Sequence, residues 1–498
     1  MFLFKNLLIL CYNRNTFSLF FIWTYLSLII FMQTKKTDKK IFPKAISFKK
    51  LIGPSFIILA LGLGSGEVIL WPYMVSNYGL GIVWGALLGI TFQYFINMEI
   101  ERYALVKGES VFVGLHKLWK GSIYWFIIST FIGFGLPGIV AAAAQLVAHV
   151  FGFSNFKWLA IVFLLAIGLI LSLGKTVYGM MEKITRTIIL LGVPFIFVLA
   201  IILATKMDWF LLAQGVLGRG EGYHFLPVGI SFMTFLAAFA YSGAGGNLNL
   251  TQSIYIKEKG YGMGKYAQKI SGLFAHKGVN QEIKLSGEEC ELNHENLIRF
   301  KVWWKKISLE HLLVFWFIGG LSILLLMILS YATVFGLDNK EGINFVINEG
   351  VVISKTLFPW VGSLFLFVLG VMLFQTQLGV MDSTSRIMAE NFAIQKIHKT
   401  KNNKINLSKI YFSFLWAQIA FGIILFLFNF YEPKQLIVLG AVINAVAMFV
   451  HIGLVAILNN RELPKMFRPS LIRKIIIAII FLFFGFFSSF VLFSNFFG

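Results

Sequence analysis

Eleven stretches of this chain are each long and apolar enough to cross a bilayer, and no other feature narrows the fold as much. They run roughly over 51–71, 78–98, 122–150, 157–174, 184–204, 227–250, 308–335, 357–381, 410–430, 435–458 and 471–497. A helix needs about 20 mostly apolar residues to span the hydrocarbon core. Lipid offers no partner for backbone N–H and C=O groups, so runs of this length read as self-satisfied helices. The expected architecture is an all-α polytopic membrane protein. Composition agrees: 13% of the residues are charged, against about 25% in soluble domains. Cys11 and Cys290 lie far apart without CxxC spacing, so neither a disulfide framework nor a zinc site is expected. The chain shows no nucleophile–base arrangement, HExxH or phosphate loop, so neither an enzyme nor a cofactor is expected.

The net charge of +21 has a membrane explanation. With residues 33–50 taken as cytoplasmic, 35 of the 43 Lys and Arg fall in alternate loops: 33–50, 99–121, 175–186, 251–307, 382–409 and 459–474. Only Lys157, Lys206, Arg219, Lys340, Lys355 and Lys434 fall on the other side. Such a bias orients a polytopic protein. It places the basic loops in the cytoplasm and the chain in a cell membrane of the bacterial inner-membrane kind. No basic stretch interleaves aromatics as a nucleic-acid surface would. The expected partners are the bilayer and a small cation or solute; the sequence sets no oligomeric state, and a monomer is compatible with it.

Residues 1–50 form an N-terminal segment. Within it, 16–32 is either an extra helix or lies upstream of a true start at Met32. Residues 51–498 form the membrane domain, with a polar cytoplasmic insert at about 251–307. Trp303 and Trp304, beside lysines, suit anchoring at the headgroups.

Two spans carry glycines where a helix in lipid should have none to spare. The first reads Leu61-Gly-Leu-Gly-Ser-Gly-Glu67, the sixth Ala240-Tyr-Ser-Gly-Ala-Gly-Gly-Asn-Leu-Asn249. Paired interruptions at corresponding places in two five-helix halves point to a transporter site built from discontinuous helices. Unwound carbonyls there can coordinate a cation, while half-helix N-termini attract anions. The candidate binding residues are Gly64, Ser65, Gly66, Glu67, Ser242, Gly245, Asn247 and Asn249. Glu67, the acidic residue near mid-span, is the candidate metal ligand, proton acceptor or both, since a mid-membrane carboxylate is costly unless it functions. It also has a plainer reading, as a cap for amides freed at the break. Gln145 and His149 share a face of the third span and Asn444 and His451 a face of the tenth, where interhelical glue is the plainer role. Gln375 and Gln377 lie in the eighth span, with Asp382 and Arg386 at ion-pair spacing near its inner end.

Gly53-Pro-Ser-Phe56 leading to Gly64-Ser-Gly-Glu67 resembles the opening of the Nramp metal-transporter family, where Gly-Pro-x-Phe leads to an Asp-Pro-Gly-Asn break. The resemblance continues through Glu101-Arg-Tyr-Ala-Leu-Val-Lys-Gly-Glu109, Asn247-Leu-Asn-Leu250 and Ile387-Met-Ala-Glu-Asn-Phe392, over roughly residues 50–465. It implies a LeuT-like fold of two inverted five-helix repeats plus an eleventh helix, with helices 1 and 6 broken. It also implies alternating access and proton-linked uptake of divalent cations. The departures are specific. Gly64 and Glu67 stand where the family has Asp and Asn. Ala244, Gly245 and Gly246 stand at its Met-Pro-His, and Leu146 and His149 at its acidic pair on the third helix. Without the soft sulfur, a hard cation suits the remaining oxygen donors better than a transition metal.

The expected function is therefore a secondary transporter of a metal cation, proton-coupled, in a divergent Nramp-like branch, with Glu67 carrying the coupling. An alternative on the same fold is an ion-coupled symporter of a small organic solute. A third reading, a non-transporting membrane receptor, leaves the paired breaks without a purpose. The charge bias has a direct test: a topology reporter fused after Lys306 or Lys404 should read cytoplasmic and one after Lys340 external. The reverse pattern would overturn the orientation and the repeat assignment together.

Overall fold

A computed structural model describes residues 39–48, 51, 53–173, 177–268, 281–337, 339, 342–400 and 403–496, with the backbone alone for 177–185, 281 and 495–496. The segment 16–32 lies outside them. In chain order the helices are α1 (Pro54–Gly62), α2 (Trp71–Tyr78), α3 (Val83–Lys107), α4 (Val111–Leu118), α5 (Ser122–Gly135) and α6 (Gly138–Phe151). Next come α7 (Phe156–Leu173), α8 (Val177–Leu203), α9 (Lys206–Val216), α10 (Phe232–Ala240), α11 (Thr251–Lys259) and α12 (His294–His311). The last are α13 (Gly319–Val334), α14 (Asn344–Thr356), α15 (Pro359–Thr400), α16 (Leu407–Leu427), α17 (Pro433–Arg461) and α18 (Leu471–Phe496).

Among the described residues, ten helical stretches are long and apolar enough to cross a membrane. The eleventh expected span, the sixth in order, is split. Its halves α10 and α11 have nine residues each, a rise of only about 14 Å apiece. Between them lie non-helical residues and a 3-10 turn, Gly246–Leu250. The first span leaves the helix at Leu63 and Gly64, then resumes as a π-helix, Ser65–Leu70, that runs into α2. Both expected breaks are present.

Several boundaries move, each for a physical reason. The first span continues to Tyr78, past the expected 71, because Trp71, Met74 and Val75 keep burying apolar surface until Gly79 turns the chain at positive φ. The second continues to Lys107, past 98. Its Glu99, Glu101 and Arg102 are buried against other helices, so this charged turn does not belong to a loop. The segment 251–307 begins with α11 and ends with α12, so both of its flanks are helical. Between them, strand Gln281–Glu282 pairs antiparallel with Lys404–Ile405 and ties the insert to the loop after the eighth span. The third span carries a break of its own at Leu136-Pro137, between α5 and α6. Proline lacks the N–H a continuous helix would need there.

The two broken spans sit at the centre. All of α1 and of Ser65–Leu70 is buried. α10 and the turn after it pack on α17, while α15 packs on α5, α6 and α1. Outer helices show the opposite character. Trp158, Val162, Leu165 and Leu169 of α7 are exposed at helical spacing, as are Leu471, Ile475, Ile479, Leu482 and Phe486 of α18. Apolar faces of that kind suit lipid, and the chain is a multi-pass membrane protein.

The first and sixth spans cross backbone to backbone. A Cβ on Gly66 would lie 1.9 Å from Tyr241 O, and one on Gly62 would lie 2.8 Å from Gly243 Cα. Gly66→Ala must therefore push two rigid segments apart, and overpacking of this kind costs about 1–3 kcal/mol. The variant should show a clearly lower thermal midpoint in detergent than Gly320→Ala in α13, where the nearest atoms stand at 3.8 and 4.0 Å, an ordinary contact. Equal midpoints would contradict the close crossing.

Candidate functional site at the broken helices

A break in a buried helix frees N–H and C=O groups that must find partners. Glu67 meets two of them. Its Oε1 accepts from Gly243 N at 2.7 Å and its Oε2 from Gly64 N at 3.3 Å. One carboxylate thus caps its own break and reaches across to the other. The position follows from sequence: Glu67 is the third residue of the segment after Gly64, where a side chain can turn back to the start of a helix.

The remaining freed groups are met from neighbouring helices. Gln93 of α3 accepts from Gly245 N at 3.0 Å and donates to Ala240 O at 2.8 Å, clamping both sides of the second break. The Thr376 hydroxyl of α15 lies 2.9 Å from Leu63 O and 3.1 Å from Ala60 O, the carbonyls left at the first. Ser242 donates to Ala238 O and accepts from Trp71 Nε1 at 2.8 Å, so it joins the two spans rather than facing a cavity.

Two asparagines bring in the third break. Asn247 Nδ2 donates to Ser129 Oγ at 2.8 Å and Thr130 Oγ1 at 3.0 Å, both on α5. Asn444 Nδ2 of α17 donates to Gly133 O and to Tyr241 Oη, both at 2.9 Å. Their carbonyl oxygens have no hydrogen-bond partner, nor have the side chains of Asn249 and Gln377. Gln377 and Tyr241 line a void of about 10 Å³ with Gly133, Gly138 and Gly440, room for a single water or ion. Larger cavities lie elsewhere, such as one of about 470 Å³ among His116, Lys120 and Lys284. Their lining residues lie outside both breaks.

Gly64, Ser65, Gly66, Glu67, Ser242, Gly245 and Asn247 therefore lie on the two crossing segments, all buried, with Asn249 buried just beyond them. Asn444 joins them through Tyr241. Gln145 stands apart, facing Asn344 Oδ1 at 3.4 Å, and His149 is exposed near the end of α6. Gln375 is buried in α15 beside Thr376. Asp382 and Arg386 form the expected local pair, with Tyr411 donating to the same carboxylate. Gln93, Thr376 and Tyr241 escaped the sequence reading. A lone amide inside the second span and a threonine between two glutamines were their only signals. Among the described residues, no three His, Cys, Asp or Glu come together as a metal cluster. The donors around the breaks are amide, hydroxyl, carbonyl and carboxylate oxygens, a hard donor set.

No family model and no curated protein matches the sequence. Solved structures do match. The manganese transporter of Eremococcus coleocola, as a histidine-to-alanine mutant, superposes with a TM-score of 0.65 at 12% identity, over 92% of this chain and 90% of that one. The same transporter in complex with an aromatic bis-isothiourea substituted compound gives 0.61 at 13% identity, over 92% and 90%. Mhp1, a nucleobase-cation-symport-1 family transporter with bromovinylhydantoin bound, gives 0.49 at 12% identity, over 92% and 93%. At these identities the likeness is one of fold. The chain has the LeuT-like fold that the resemblance of its motifs implied.

Proposed function

We propose that this chain is a secondary transporter of the Nramp-like group that carries a small hard cation, coupled to protons, across a bacterial cell membrane by alternating access. The observation that carries the proposal is the bridging carboxylate: Glu67 holds amides from both broken spans, at the point where the two backbones cross. A carboxyl group that ties two hinges is placed to sense a cation, because a carboxylate has about four acceptor sites and two amides leave room for more. The uncompleted carbonyls of Asn247, Asn444 and Gln377 supply further hard donors nearby.

The size of the void supports a cation over an organic solute. Sites for small organic molecules run to about 300 Å³ or more, and the space beside the second break is far below that. The donor chemistry supports a hard cation over a transition metal, since Ala244, Gly245 and Gly246 bring no sulfur or imidazole to the second break. In this reading, the helix segments beyond each break tilt while α3 and α15 hold the broken ends through Gln93 and Thr376. Cation binding at Glu67 trades against its amide bonds, which couples occupancy to the angle between the spans.

Glu67→Gln keeps the shape, removes the charge, and turns one oxygen into an N–H₂ that faces a backbone N–H. Losing a hydrogen bond to a charged group costs about 1.5–3 kcal/mol, roughly a 10- to 100-fold effect on an equilibrium. Mg²⁺ uptake into proteoliposomes should fall at least ten-fold in the variant while its elution profile stays monodisperse. Wild-type uptake by a well-folded Glu67→Gln protein would overturn the proposal.

A further inference from the structure

Below the breaks, towards the basic face, four helix ends converge on a second set of titratable groups. Ser55 stands in the first turn of α1, Glu101 on α3, Gln252 on α11, and Glu310 with His311 at the end of α12. All five are buried. The Ser55 hydroxyl donates to Glu310 Oε2 and lies 2.9 Å from His311 Nδ1. His311 Nδ1 lies 3.4 Å from Glu101 Oε1, which also accepts from Gln252 Nε2 at 2.6 Å. Glu101 Oε2, Glu310 Oε1, His311 Nε2 and Gln252 Oε1 have no hydrogen-bond partner.

The nearby cations make their contacts with other groups, although Arg473, whose Nη2 has no hydrogen-bond partner, also offsets part of the Glu101 charge through space. Arg473 of α18 reaches Glu99 at 2.5 Å and Arg102 holds the same carboxylate at 2.9 Å. Lys306 donates to Ile46 O, and Lys257 lies 3.6 Å from Glu390. Among the described residues, neither Glu101 nor Glu310 forms an ion pair with Lys or Arg. The Tyr94 ring stacks on His311 at 5.6 Å, adding no charge. With both carboxylates ionised, even a charged His311 leaves these three groups with one negative charge in excess among themselves, at a buried site. One further proton makes them neutral, and three such close groups titrate as one unit.

We propose that Glu101, His311 and Glu310, joined by Ser55, form a proton-binding site, distinct from Glu67, that latches the ends of α1, α3, α11 and α12. The proton is shared along the chain from Glu310 through Ser55 to His311 and Glu101. It leaves to water on the basic side when those helix ends part, and the ionised carboxylates then repel until one is reprotonated. A stack of rings links the site to the breaks. His311 lies flat on Phe315, with centroids 4.7 Å apart and planes 7° apart, and Phe315 lies against Gly243, the residue whose N–H binds Glu67. Phe315 belongs to a π-helix, Leu312–Ile318, a distortion that recurs at functional sites. The coupling role of this site rests on the transporter reading; its capacity to bind a proton does not.

Two measurements separate these claims. The first is infrared difference spectroscopy of the purified full-length protein between acidic and alkaline buffer, following the carboxylic acid C=O band. Glu101→Gln and Glu310→Gln should each remove part of the titrating band, and His311→Gln should shift the midpoint of what remains. An unchanged band in both carboxamide variants overturns the site. A variant that fails to fold is replaced by Glu101→Asp or Glu310→Asp, which must keep the band at a shifted frequency. The second is Mg²⁺ uptake driven by an imposed proton gradient. Glu101→Gln should lose the acceleration by the gradient while retaining downhill flux. Acceleration that persists unchanged in both carboxamide variants overturns the coupling role and leaves the transport reading standing. No uptake by the wild type, with the band lost in the variants, keeps the proton site and overturns the transport reading.

Discussion

A backbone amide in the middle of a membrane has no water to turn to, and the architecture follows from that constraint. A helix satisfies its own groups, so each interruption needs an outside partner for what it releases. Here the partners come from three directions: Glu67 on the broken span itself, Gln93 from α3 and Thr376 from α15. The glycines let the two backbones approach closely enough for one carboxylate to serve both. The close crossing of the segments and the polar groups around it come from the same few residues.

The surrounding helices divide the labour. α7 and α18 face outward with apolar side chains and hold nothing of the site. α15 packs on both broken spans and α17 on the second, and each carries a group that touches a break, Thr376 on one and Asn444 on the other. Towards the basic face the polar content rises and every residue of α11 except Lys259 is buried. Gln252 reaches Glu101, Ser253 accepts from Val111 N, and Tyr255 meets Ser383. That half-helix is held by these polar contacts, which can exchange partners, as well as by Ile254 and Ile256 in the apolar core.

Much of this was legible from the sequence because hydropathy and glycine placement carry it. The span pattern found the helices, and Gly62 to Glu67 with Gly243 to Gly246 found the two breaks. What the sequence hid is long-range. Glu101 sits in a charged turn that reads like the start of a loop, and only its contacts with Gln252 and His311 show it buried. His311 and Glu310 follow a basic, Trp-bearing stretch and look interfacial until α12 is seen to pack against α3. Gln145 and His149 share a helix face, as the spacing said, but that face points away from the breaks. The third break was written in Gly133-Phe-Gly-Leu-Pro-Gly138, a proline among glycines inside a long apolar run that also passes for an ordinary kink.

The central claim is that oxygen donors at the crossing of the broken spans hold a small hard cation. Calorimetric titration of the purified protein with Mg²⁺ and Mn²⁺, in wild type and in Asn444→Ala with Gln377→Ala, tests it most directly. The account predicts saturable Mg²⁺ binding that the double variant loses, with Mn²⁺ bound no more tightly than Mg²⁺. Tight Mn²⁺ binding with Mg²⁺ excluded, or Mg²⁺ binding untouched by the double variant, would contradict it.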